Sequence, residues 1–150
     1  IGGGIETGGL VWDAALALSA WILSQPPAAF DDKRVIELGS GPGLPSLVLG
    51  ACTGARVLAT DVFPLTLDNL RHNVSGLPAA SSASVDVEAL DWYDDVATTA
   101  KRHGDVDVVL AADVVYDPEL APPLLRTIRA IVRSQCRPTP ARALVAAERR

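Results

Sequence analysis

The stretch VIELGSGPGLPS, Val35 to Ser46, decides the fold. A short apolar run holds an acid, Glu37, and glycines follow at alternate positions, Gly39, Gly41 and Gly43. An apolar run of this length bounded by glycines reads as a buried strand. A backbone without Cβ atoms turns tightly behind it and lets a ligand come close. Pro42 and Pro45 stiffen the start of the next helix, LPSLVLGAC, whose free N–H groups are expected to face that ligand. A dinucleotide fingerprint reads G-x-G-x-x-G. Here the third glycine comes one residue early, at Gly43, and Leu44 holds its place. This argues against a pyrophosphate. Glu37, just beneath the turn, is expected to favour a ligand that is positively charged there.

Outward from this stretch, strands and helices alternate. RVIEL, ARVLATD, SVDVEALDW, DVDVVLAADVVY and ARALVAAE read as strands, the fourth being the longest. LPSLVLGAC, PLTLDNLRHNVSG, YDDVATTAKRHG (a helix or a loop) and PELAPPLLRTIRAIVRSQ lie between them, with PAASSAS as a small-residue loop. Such alternation predicts an α/β fold, a doubly wound parallel sheet of Rossmann-like form with the glycine-rich strand central. Upstream, residues 1–32 form a Gly-rich lead-in and a helix, VWDAALALSAWILSQ, capped by Asp13 and ended by Pro26 and Pro27. Trp12 and Trp21 fall on opposite faces of that helix. Residues 33–150 carry the alternating core, and the whole reads as one domain.

Composition sets limits. The chain has 150 residues, 49% of them apolar, enough for a sizeable core. A formal charge of -5 argues against a nucleic-acid backbone as partner. Cys52 and Cys136 have no Cys or His at ligand spacing, so no metal is expected. Both are expected to pack as small apolar residues, and nothing asks for an oxidising compartment, so the expected place is the cytoplasm. No apolar run is long enough to span a bilayer, so no membrane is expected. With no methionine of its own, the sequence is expected to be an excerpt of a longer protein.

The carboxyl ends of parallel strands are where such folds bind ligands. After the turn, the second strand ends in Asp61, where an acid accepts the hydroxyls of a ribose. The third ends in Asp91 and Trp92: a carboxylate for an exocyclic amine and a ring for the π face of adenine. An adenosyl group with a charged tail over Glu37, Gly39 and Gly41 is S-adenosylmethionine. The fourth strand carries Asp113, an acid inside an apolar run that needs a partner, and Tyr116, both where an acceptor would arrive. His72 and His103 lie on polar helix faces and are expected to be solvated.

ELGSGPG, ATD, LDW and AADVVYDPE together resemble the class I, seven-strand methyltransferases. With TGGLVWDAALALSAWI upstream, the chain is similar to family 16 of the protein-lysine methyltransferases, within it to the elongation factor 2 lysine methyltransferase type. The resemblance implies that Glu37, Gly39 and Gly41 hold the methionine tail, Asp61 the ribose and Trp92 the adenine. It implies that Trp12 closes over the cofactor and that Asp113 and Tyr116 meet the target lysine. The implied partner is a protein substrate, elongation factor 2 being the first candidate, and the full-length enzyme is expected to be a monomer. The family's later, C-terminal strands have no counterpart here. Three rivals stay open: a nucleobase or small-molecule methyltransferase of the same fold, against which DVVY stands in place of a Pro-Pro-Tyr run; a nicotinamide oxidoreductase; and a catalytically silent interaction domain.

Overall fold

In the computed structural model, which describes residues 8–82, 84–103, 105–133 and 141–148, the alternation resolves into five parallel strands. They are β1 (Arg34–Leu38), β2 (Arg56–Asp61), β3 (Val85–Ala89), β4 (Val108–Ala112) and β5 (Arg142–Ala146). Their order is β3-β2-β1-β4-β5, with the glycine-rich strand in the centre as expected. The chain winds outward from β1 to β3, then returns to β4 and β5. The crevice at the reversal is the ligand site of such sheets.

Side chains alternate across the strands, so each face has its own core. Val35, Val57, Val108 and Leu110 pack against Leu18 and Ile22 of α1 (Asp13–Ser24), Leu49 of α2 (Leu44–Cys52) and Leu70 of α3 (Pro64–Ser75). A short helix, α4 (Ala79–Ser82), follows α3. On the opposite face Ile36, Leu38, Val109 and Ala111 meet Leu124, Ile128 and Ile131 of α6 (Ala121–Arg133), beside which lies α5 (Val96–His103). The alternation puts Glu37 on the same face as Val35, the face that α2 covers. Among the described residues no helix is long and apolar enough to cross a membrane.

Several local expectations need correction. Trp12, not Asp13, is the N-cap of α1, without a side-chain cap bond. Asp13 falls one residue inside, where its carboxylate favours the positive end of the helix dipole. PAASSAS contains a helical turn, α4, rather than only loop. β4 is not the longest strand: it stops after five residues, and β2 has six. It stops because Asp113 takes φ 52°, outside the strand region, while its N–H bonds Ala146 O at 2.9 Å. Asp113 therefore lies past an apolar run and not within it. β3 likewise ends before Leu90, so Asp91 and Trp92 belong to the following turn. Cys52, the last residue of α2, is exposed rather than packed; Cys136 lies outside the described residues. His103 is buried rather than solvated, because the last turn of α5 brings its Nε2 to 3.9 Å from Glu88 Oε1 on β3. Burial holds its pKa below the usual imidazole value.

Candidate active site

Beyond the carboxyl ends of β1 to β4 lies a cavity of about 520 Å³. This is within the usual range for a small-molecule site. β1 contributes Gly39 and Gly41, β2 Asp61, and the turn after β3 Asp91 and Trp92. Asp113 and Tyr116 come from the exit of β4, and Trp12 closes the wall from the start of α1. Eight of the nine residues read from the sequence thus line one cavity. The ninth, Glu37, does not.

The turn after β1 explains its glycines. Gly39, Gly41 and Gly43 all have positive φ, at 67°, 54° and 86°. L side chains adopt this conformation at a cost of about 1–2 kcal/mol. Their surroundings differ. A Cβ at Gly39 would lie 2.8 Å from Val114 Cγ1 and 3.1 Å from Trp92 Cζ2, so that glycine lets the Trp92 ring come in. A Cβ at Gly41 would meet nothing nearer than Gly8 O at 3.6 Å and would point into open space. Gly43 is the N-cap of α2 and lies against Leu70 of α3. The turn is tied to β2 by Ser40 N to Thr60 O, 2.8 Å, and Thr60 N to Ser40 Oγ, 3.0 Å.

Glu37 works from beneath. Gly43 has no side chain to cap α2, and Glu37 supplies the missing acceptor from the neighbouring strand. Its Oε2 accepts the Ser46 N–H at 3.2 Å and the Ser46 O–H at 2.5 Å. The carboxyl is almost wholly buried, and that burial pushes its pKa up to about 7 against the opposing pull of the Ser46 bonds, with the charge of Asp61 adding to the rise. This revises the expectation of a helix end full of free donors. Gly43 N–H goes to Ser40 O at 2.8 Å, Pro45 has none and Ser46 gives its own to Glu37. At this helix end Leu44, itself a cavity residue, is the one of the four whose N–H has no acceptor among the described residues.

Asp61 is nearly buried and held on three sides. Oδ2 accepts Gly41 N–H at 3.1 Å, and Oδ1 accepts Val62 N–H at 2.8 Å and Phe63 N–H at 3.3 Å. A carboxylate has about four acceptor positions. One, on Oδ2, is left for a ligand hydroxyl among the described residues. Asp91 turns one oxygen back onto Tyr93 N–H at 2.9 Å. Asp113 is held in the left-handed region at the cavity wall, a strained state of the kind found at functional sites. Tyr116 stands half-exposed at the mouth.

The structure adds residues that the sequence reading passed over. Leu10, Val11, Phe63 and Tyr93 complete the apolar wall. Their signal was position: Phe63 and Tyr93 each follow a strand-end acid by two residues, whereas aromatic character alone reads as core. Ser46 had no signal, since its partner is nine residues away on another element. Among the described residues no His, Cys, Asp and Glu side chains converge into a metal site.

A parallel sheet of this order, with a glycine turn after its central strand and an acid ending the next, is Rossmann-like and common to dinucleotide-binding domains and class I methyltransferases. The chain belongs to a family described as lysine methyltransferase, whose family model matches residues 2–150. Among its relatives, the protein-lysine N-methyltransferase EEF2KMT of Mus musculus is 37% identical over 144 residues, covering 89% of this chain and 42% of that protein. The protein N-lysine methyltransferase METTL21A of Danio rerio is 38% identical over 120 residues, 79% of this chain and 53% of that protein. The chain thus spans about half or less of the relatives it matches. A crystal structure of the glycopeptide N-methyltransferase MtfA complexed with S-adenosyl-L-methionine superposes with a TM-score of 0.59 at 14% identity, covering 86% of this chain and 54% of that one. At that identity the likeness concerns the fold.

Proposed function

We propose that the whole protein is an S-adenosylmethionine-dependent protein-lysine N-methyltransferase, with elongation factor 2 as its first candidate substrate. The observation that carries this is the gathering of Asp61, the Asp91–Trp92 pair and the Asp113–Tyr116 pair around one cavity. The residues fit the cofactor: open space over Gly41, one acceptor position on Asp61, an aromatic plane at Trp92 and largely apolar walls. When bound, S-adenosylmethionine supplies an electrophilic methyl group on a sulfonium.

In this reading Asp61 accepts a ribose hydroxyl, while Trp92 and Asp91 receive the adenine. Gly39 and Gly41 leave room for the amino-acid end, and Glu37, when ionised, adds negative field from below without touching it. Trp12, with Leu10 and Val11, keeps water from the outer side. Asp113 orients the lysine amine, and Tyr116 walls or hydrogen-bonds it. A neutral amine is the nucleophile, and its proton leaves to water, since a neighbouring carboxylate by itself favours the ammonium form. Holding nitrogen, methyl and sulfur in line is worth up to about 7–11 kcal/mol of the barrier. Asp91 and Asp113 on the cavity wall, with Asp94 and Asp117 next in sequence to the lining Tyr93 and Tyr116, suit a lysine and repel a phosphate backbone. The same reading places the protein in the cytoplasm as a monomer.

The test is transfer of labelled methyl to protein in a cell extract and to purified elongation factor 2. Asp113→Asn is the informative variant, because Asn tolerates positive φ and only the charge is lost. It should abolish transfer and leave cofactor affinity within a few-fold. Label that enters RNA or DNA, and vanishes with nuclease, would overturn the assignment.

A further inference from the structure

The back of the glycine turn is held by a residue outside the cavity. Gly43 lets α3 come so near that a Cβ there would collide with Leu70 Cδ1. Three residues further along α3, on the same helix face, Asn73 Nδ2 donates to Pro42 O at 3.0 Å. The acceptor is a carbonyl, so the amide must present its NH2 there. Neither Leu70 nor Asn73 lines the cavity, whereas Gly41, Pro42 and Leu44 do. The peptide plane between Pro42 and Gly43 is thereby fixed at both ends: its carbonyl by Asn73, its N–H by Ser40 O at 2.8 Å. With Asn73 removed, one end is loose beside a glycine, the residue least able to resist rotation. The same helix begins just after Phe63, whose N–H bonds Asp61. So α3 joins the acid at the end of β2 to the back of the turn after β1.

We propose that Asn73 is a positioning residue for the part of the ligand that lies on the glycine turn. This rests on the reading of the cavity as an S-adenosylmethionine site. Asn73 acts through the Pro42 carbonyl and touches no ligand. Its influence falls first on the amino-acid end of the cofactor, while the adenosyl end, held by Asp61 and by residues after β3, is reached only indirectly, through the Gly41 N–H bond to Asp61. A residue that merely packed α3 in place would affect both ends alike.

The experiment is calorimetric titration of the whole protein, wild type, Asn73→Ala and Asn73→Asp. The two ligands are S-adenosylmethionine and 5′-methylthioadenosine, which lacks the amino-acid end. Asp has the shape of Asn but no donor for a carbonyl. Both variants should bind S-adenosylmethionine about three- to tenfold more weakly, the loss of one hydrogen bond. Both should bind 5′-methylthioadenosine within twofold of wild type, with melting temperatures shifted by only a few degrees. Equal losses for the two ligands, or wild-type affinity for S-adenosylmethionine in both variants, overturn the role of Asn73 while leaving the cofactor reading intact. A wild-type protein that binds neither ligand overturns the cofactor reading itself.

Discussion

Gly39→Ala and Gly41→Ala differ by a single methyl group at two positions two residues apart, yet the structure assigns them different outcomes. Both residues have positive φ, so each alanine costs about 1–2 kcal/mol of backbone strain. At Gly41 that is the whole cost, because the new Cβ has no neighbour within 3.6 Å. At Gly39 the Cβ must displace Val114 Cγ1, 2.8 Å away, and the Trp92 ring, 3.1 Å away. Overpacking of this kind adds about 1–3 kcal/mol. Gly39→Ala should therefore cost about 2–5 kcal/mol in all, by these two terms. In a domain of this size 1 kcal/mol lowers the melting temperature by about 2–4 °C, giving roughly 2–8 °C for Gly41→Ala and 4–20 °C for Gly39→Ala. Binding should not follow the same order. The Gly41 methyl enters the cavity itself, so cofactor affinity falls at least as far in Gly41→Ala although the fold is barely weakened. Calorimetric melting with parallel titration of S-adenosylmethionine separates the two. If Gly41→Ala melts as low as Gly39→Ala, or keeps its affinity, the cradle reading of the turn is wrong.

The raised pKa of Glu37 makes the folded state hold its proton more tightly than the unfolded chain, from about 4.5 unfolded to about 7 folded. Stability is then fully present below pH 4.5 and lost as pH rises to about 7, by an order of 3 kcal/mol. His103, its pKa lowered, works the other way but only below its ordinary 6.5, so the slope between there and pH 7 belongs to Glu37. Glu37→Gln should flatten it, and a wild-type melting temperature that does not fall from pH 6.5 to 7.5 would refute the burial argument. Asp61→Ala should weaken cofactor binding about tenfold or more, one buried group left unpaired costing roughly 1–3 kcal/mol. It should also lower the melting temperature, because three backbone N–H groups lose their acceptor; unchanged affinity by calorimetry removes Asp61 from the site. Among the described residues β5 pairs only with β4 and leaves an edge with Val145 exposed, so residues 1–150 alone should associate with rising concentration in sedimentation runs. A monodisperse monomer at all concentrations would count against this.

What could be read from the sequence followed from the sheet's geometry. Apolar runs stopped by Gly, Asp or Trp mark strands whose carboxyl ends lie on one rim, so Asp61, Asp91, Trp92, Asp113 and Tyr116 were placed together without knowing a single distance. The register across faces was less accessible. Whether Glu37 points into the crevice or under α2 depends on strand parity relative to the core, and the run VIEL has apolar residues on both sides of it. Because both faces of this central strand are covered, a buried acid was the one exception to the pattern, and its partner Ser46 lies in the helix after the turn. Asn73 was still less visible: it bonds a main-chain carbonyl 31 residues away, which no side-chain pattern encodes. Strand lengths were overestimated for a related reason, since apolar residues such as Val114 continue past the ladder to pack beneath the site.

The carboxylates of the site therefore divide their work by how each is satisfied. Glu37 binds the protein with one oxygen and is buried, so in the proposed reading it bears on a ligand only through the shape of α2 and, when ionised, through its field. Asp61 has three of about four acceptor positions occupied by main chain, which fixes its direction and leaves one position to offer. A carboxylate held this way pays little ordering entropy on binding, so its remaining hydrogen bond contributes more to affinity than a free side chain's would. Asp113 is directed differently, by a main chain twisted to φ 52° where the strand ends. That twist takes Asp113 out of the β4 register at the point where an acceptor amine would arrive. The strain is offset by the Asp113 N–H bond to Ala146 on β5, which links the side of the site proposed for the acceptor to the edge of the sheet. Loosening β5 should accordingly disturb methyl transfer before it disturbs cofactor binding, since the residues proposed for the cofactor belong to β1, β2, the turns after β1 and β3 and the segment before α1.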